Sequence, residues 1–217
     1  MRIKLSRNRL IELVILCILL LLYLTRHRFE IWGWRQIVLI FIFSTPIIYI
    51  KVSKRKLKEI YITKDNIKKS LFYGLIASII LIPLDVVIFH HALGGFYLAP
   101  ELKESEWYFL LATFLGNTLT TGVSEEVLFR GFLQSYLKNY FSNFWIVLLQ
   151  AIIFSLLHPR YYINSLYYIS FLVFIFGIIA GFITIRTKNL SGSILAHGLV
   201  NTIGYILFYI YPIIPAS

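Results

Sequence analysis

The sequence predicts an all-α fold, a polytopic membrane helix bundle of about seven transmembrane helices. Three observations predict it. Mean hydropathy is +0.77, far above the soluble range. Hydrophobic residues make up 59% of the 217, against 14% charged. The apolar residues also come in runs near the roughly 20 that a bilayer core requires, and no soluble domain fits between them.

The runs can be taken in order. A basic stretch, MRIKLSRNR, precedes an apolar run at 10–24. It resembles a signal peptide, but it ends in Thr25-Arg26-His27-Arg28 with no small-residue cleavage site, so it reads as a retained anchor helix with Glu12 near the headgroups. The second run, 37–50, is extended backward by Trp32 and Trp34 as interfacial anchors, and Pro46 should kink it. The third, 70–90, carries Pro83 and Asp85 and ends in His90 and His91, to which no role is assigned. Glu101, Glu104 and Glu106 follow in a short loop. Further runs cover 107–124, 144–157, 163–185 and 194–210.

Charge sets the orientation. The densest basic stretch, 51–69, belongs in the cytoplasm by the positive-inside rule. Parity then puts the N-terminus and the loops at 138–143 and 186–190 on that side too. Residues 25–36 oppose this, since Arg26, Arg28 and Arg35 fall outside. The expected localisation is a multi-pass protein of the cell membrane, with the lipid bilayer as one partner. The chain divides into N-terminal membrane helices with a basic cytoplasmic loop, 1–106, and a C-terminal core, 107–217. The net charge of +11 sits between apolar runs, where it reads as topology signal and headgroup contact, and no nucleic-acid reader motif accompanies it. The single cysteine, Cys17, can form neither an internal disulfide nor a redox pair and reads as core packing.

Ionisable side chains inside a membrane bundle are costly, about 2.5–3.5 kcal/mol each on insertion scales. The second half of the chain holds Glu125, Glu126, Arg130, His158 and His197, with Asn201 as a polar companion. Glu126 and Arg130 are four apart and share a helix face, so they can pair. Glu125 is rotated by about 100° and left free. His197 and Asn201 repeat the four-residue spacing, as do Phe154 and His158. Three helices thus each offer one polar face to a common pocket.

Each motif alone has a plainer explanation. Ser124 could cap a helix whose first turn holds the two glutamates. His158 before Pro159 could be interfacial, and His197 with Asn201 an interhelical hydrogen-bond pair. All three explanations must then hold at once. Taken together, the residues suit hydrolysis. Glu125 can accept a proton from water, and His158 can help hold and polarise that water. His197 and Asn201 can donate to the oxyanion on an attacked carbonyl. Glu125, His158 and His197 also form a carboxylate-plus-two-imidazole set compatible with zinc. No H-E-x-x-H motif demands a metal, and the preferred reading requires no cofactor.

The motifs EEVLFR (125–130), FSLLH (154–158) and HGLVN (197–201) resemble those of the CPBP, or Abi, family of intramembrane proteases. That family includes CAAX prenyl proteases and bacterial bacteriocin-processing or immunity proteins. The resemblance covers about 107–211. It implies Glu125 as the water-activating residue with Glu126 and Arg130 as its supporting pair. It implies that His158 shares the water and that His197 and Asn201 stabilise the oxyanion. The expected activity is intramembrane endopeptidase, acting on a peptide or protein substrate in or at the membrane. The competing expectation is a non-catalytic bacteriocin immunity or peptide-binding membrane protein that uses the same cavity. A transporter with Glu125 as proton relay fits less well, for no inverted repeat is visible.

Overall fold

The computed structural model describes residues 6–26, 33–93, 104–163 and 166–210. Among these residues there is no strand, and each apolar run is helical. The first three helices are α1 (Arg7–Thr25), α2 (Trp34–Val52) and α3 (Ile67–Leu93). A continuous rod over 104–137 follows, built of α4 (Glu104–Gly116), a π-helical turn (Asn117–Gly122), α5 (Val123–Glu126), a second π-helical stretch (Val127–Leu133) and α6 (Gln134–Leu137). Then come α7 (Asn143–Leu156), a short α8 (Pro159–Ile163), α9 (Tyr167–Thr187) and α10 (Ser191–Ile210). Four stretches, Arg7–Thr25, Trp34–Val52, Ile67–Ile88 and Tyr167–Thr187, are long and apolar enough to cross a membrane. The architecture is an all-α membrane helix bundle.

Continuity of the 104–137 rod settles what Ser124 does. It caps nothing, because the backbone on both sides of it is right-handed helical, with Gly122 at φ −58 and ψ −53. No proline and no left-handed glycine interrupts these residues. The two π segments each absorb extra residues without a break, a device found often at functional sites.

The bundle is polar at its heart and apolar outside. Glu125, Glu126, Arg130, Gln134, Gln150, Thr184 and His197 are buried, while Leu21, Ile79 and Phe182 are each more than 60% exposed toward lipid. Between membrane helices hydrophobicity gives little drive, so close packing through small residues has to supply it. Gly74 on α3 lies against Gly192 on α10, and Gly192 in turn abuts Ser70. Gly198 on α10 lies so close to Thr118 in the first π turn that a Cβ there would overlap it. Gly198→Val is therefore expected to push α10 off the rod and to lower the thermal midpoint of the detergent-solubilised protein. Overpacking of this kind costs about 1–3 kcal/mol, and a midpoint equal to wild type would contradict the close approach.

Hydrogen bonds tie the loops together at one end. Asn189 donates to the carbonyls of Thr63 and Asp65 at 2.7 and 2.8 Å, and Asn66 donates to that of Thr187. Arg9 reaches Asn139 at 2.7 Å. Segments 51–69, 138–143 and 186–190 thus share an end of the bundle, the lysine-rich end. Glu12, near the same end, faces the protein interior: it is 2% exposed and ion-paired with Arg9 and Arg55.

One of the arginines that opposed the charge parity is engaged inside the protein: Arg26 is 5% exposed, so it is not a free loop charge of the kind that the positive-inside rule counts. Arg35 is exposed and donates to the Thr121 hydroxyl at 2.8 Å. Cys17 is exposed on the outer face of α1, which corrects its expected place in the core. Arg28, Trp32, Glu101 and the side chains of His90 and His91 lie outside the described residues.

Candidate active site

Glu125 and Glu126 stand between the two π segments, both buried, at 2% and 0% exposure. Glu126 does what its spacing predicts. Its Oε1 accepts a 2.8 Å hydrogen bond from Arg130 Nη1, and both side chains are fully enclosed. The guanidinium lies over the Phe154 ring, 4.2 Å from its centroid, with Phe176 at 5.2 Å. Ring faces thus meet the charge that the single carboxylate contact leaves over. Phe154, expected in a supporting position, packs its ring against this guanidinium.

The same Glu126 oxygen has a second partner, which the spacing did not reveal. His197 Nδ1 lies 2.7 Å from it. Glu126 is paired with Arg130 and accepts only, so Nδ1 carries the proton and donates. That bond orients the imidazole and turns Nε2 toward Glu125 Oε2, 3.6 Å away. Phe176 packs edge-on against the ring at 4.9 Å. Asn201 lies one turn further along α10 and is half-buried.

His158 is placed by the end of α7. Pro159 cannot continue the helix but can open α8, so the chain breaks between them. The break leaves the Phe154 carbonyl without a helical partner, and His158 Nδ1 fills that place at 2.7 Å. A carbonyl only accepts, so here too Nδ1 bears the proton and Nε2 is the inward atom. It lies 3.9 Å from Glu125 Oε2 and 3.1 Å from the Tyr23 hydroxyl.

Both histidines therefore present Nε2 to one oxygen of Glu125. That oxygen is buried and has no hydrogen-bond partner among the described residues. Separations of 3.6 and 3.9 Å exceed a direct hydrogen bond and are of the kind that a bridging water spans. By helix rise, Glu125 is roughly 15–18 Å from the Leu137 end of its rod.

As arranged, the trio of Glu125, His158 and His197 does not present a metal set. Among the described residues no three His, Cys, Asp or Glu groups are placed to hold an ion, and the Nε2 lone pair of His158 faces the Tyr23 hydroxyl.

Tyr23 and Arg26 were not found from the sequence. Tyr23, at the end of α1, is fully buried, and its ring meets Phe129 edge-on at 5.3 Å. Arg26 stacks 3.4 Å over that ring. Its Nη1 donates to the carbonyls of Tyr23 at 2.9 Å and Leu157 at 3.3 Å, the latter next to His158. One of 15 tyrosines with no motif around it carries no local signal. The only hint was an arginine in a flank where charge parity did not want one.

Residues 106–203 match a family model described as type II CAAX prenyl endopeptidase Rce1-like. No curated protein and no solved structure matches the chain. The matched segment holds Glu125, Glu126, Arg130, Phe154, His158, His197 and Asn201, while Tyr23 and Arg26 lie outside it. The match over residues 106–203, a little under half of the chain, supports a place in the CAAX protease (CPBP) family.

Proposed function

We propose that the protein hydrolyses a peptide bond of a membrane-associated substrate through a water activated by Glu125, without a metal. The observation that carries this reading is the convergence of both Nε2 atoms on a buried, unpartnered Glu125 Oε2, at 3.6 and 3.9 Å. Glu125 accepts a proton from the water as its oxygen bonds to the scissile carbonyl carbon. The carbonyl oxygen gains negative charge. His197 in its doubly protonated form meets it with Nε2–H, and Asn201 with its side-chain amide, as oxyanion donors. The carbon–nitrogen bond then breaks, and Glu125 returns its proton to the departing amine. The products are a carboxylic acid and an amine, and Glu125 is again a carboxylate.

Glu126 and Arg130 serve this chemistry at one remove. The pair neutralises a second buried charge and fixes the His197 ring. The family description makes prenylated CAAX-type peptides the first substrate class to try. The basic loop 51–69, with the N-terminus on the same side, is proposed to face the cytoplasm. The catalytic core is proposed to span 107–217.

Two measurements test the reading. Membrane peptides from cells carrying wild-type protein should include cleavage products that are missing from cells carrying Glu125→Gln; identical peptide profiles would refute a protease. Purified protein in proteoliposomes should keep its turnover of a prenylated CAAX reporter after exhaustive chelation. Activity lost to chelator and restored by zinc would replace the metal-free step with the zinc variant.

A further inference from the structure

The matched family segment does not contain everything that surrounds the water position. We infer that the Tyr23 hydroxyl, contributed by α1, is the group through which His158 acts on the nucleophilic water. This rests on the reading of Glu125 as base.

The argument begins with the valence of one nitrogen. His158 Nδ1 is committed to the Phe154 carbonyl at 2.7 Å, so the neutral ring has a single lone pair to offer, on Nε2. The Tyr23 oxygen lies 3.1 Å from that atom, and Glu125 is its second hydrogen-bond neighbour. With Nδ1 protonated, Nε2 can only accept, so the 3.1 Å bond takes the hydroxyl's one proton. A hydroxyl that donates keeps two lone pairs for accepting. A water between Glu125 Oε2 and Tyr23 Oη can then donate one hydrogen to each. The chain reads water, Tyr23 oxygen, His158 Nε2, and each bond strengthens the next.

The hydroxyl is also held in place. Tyr23 has no exposed surface, with Phe129 against its ring edge and Arg26 on its face at 3.4 Å. Arg26 binds the carbonyls of both Tyr23 and Leu157, so the end of α1 and the turn carrying His158 move as one. Trp34 donates to the Thr25 carbonyl at 3.2 Å and secures α1 from the other side. A residue present only to fill space would not need its backbone fastened to that of its hydrogen-bond partner.

Tyr23→Phe removes the oxygen and leaves the ring packing. In proteoliposomes with a prenylated CAAX reporter, kcat is expected to fall 10- to 100-fold while KM and the thermal midpoint stay as in wild type. In the Tyr23→Phe background, His158→Gln should add little further loss, since two members of one relay are non-additive. Phe129→Leu, which loosens the same packing without touching the hydroxyl, should combine additively with His158→Gln. Independently of any substrate, the 15N resonance of His158 Nε2 in nanodisc-embedded protein should shift on Tyr23→Phe.

Wild-type or raised kcat in Tyr23→Phe, or an unmoved Nε2 resonance, overturns the relay. Full additivity with His158→Gln does so too. If Glu125→Gln is inactive in the same assay, the relay falls alone. If Glu125→Gln remains active, or wild type turns over no peptide, the base reading falls and takes the relay with it.

Discussion

Glu125→Gln is expected to lower kcat by about 10³-fold, the range attributed to a positioned general base, with no loss of folded protein. The substitution keeps the shape of the side chain and removes its capacity to take a proton. Stability should hold for a specific reason. Glu125 Oε2 lies 3.6 and 3.9 Å from two imidazole nitrogens and has no hydrogen-bond partner among the described residues, so an amide in that place breaks no hydrogen bond there. The thermal midpoint of Glu125→Gln should therefore stay close to that of wild type. Scanning calorimetry beside a single-turnover assay checks both halves. Retained turnover would move the base elsewhere, and retained peptide binding without any wild-type cleavage would favour a non-catalytic binder.

Arg130→Met should have the largest effect on stability. The arginine and Glu126 are both at 0% exposure, so the variant leaves a carboxylate enclosed without its cation. Breaking a buried pair from one side costs about 3–5 kcal/mol. Replacing both members with apolar residues of similar volume is often neutral, so Glu126→Leu combined with Arg130→Met should recover most of the lost midpoint. It should not recover activity, because His197 Nδ1 would lose the acceptor that aims it. A double variant as unstable as Arg130→Met would show that the aromatic contacts of the guanidinium with Phe154 and Phe176, and not the ion pair, hold this part of the bundle.

The helices and the short-range geometry of the site were legible because both depend on periodicity. Apolar runs of bilayer length predicted the rods, and spacing of four predicted the Glu126–Arg130 bond. What was not legible depends on contacts between residues far apart in the chain. His197 meets Glu126 across 71 positions, and Tyr23 meets His158 across 135. No local pattern encodes either, for they follow from which helix lies beside which. The Ser124 cap failed for the opposite reason. A good N-cap residue before two glutamates is a sound local signal, but the preceding GNTLTTGV continues as a π-helical turn and places the glutamates mid-rod. Cys17 was misplaced because the stretch around it, residues 13–22, is apolar throughout and does not mark which side meets lipid.

One oxygen of Glu126 accepts from both Arg130 and His197, and this has a consequence for genetics. Substitutions at these three positions will be epistatic, since each changes the state of the atom that the other two share. An alanine scan would rank Glu126 among the most damaging positions and invite the conclusion that it performs the chemistry. Pairwise variants would tell otherwise. Once His197 is removed, the further loss on changing Glu126 should appear in folding and leave little to see in turnover.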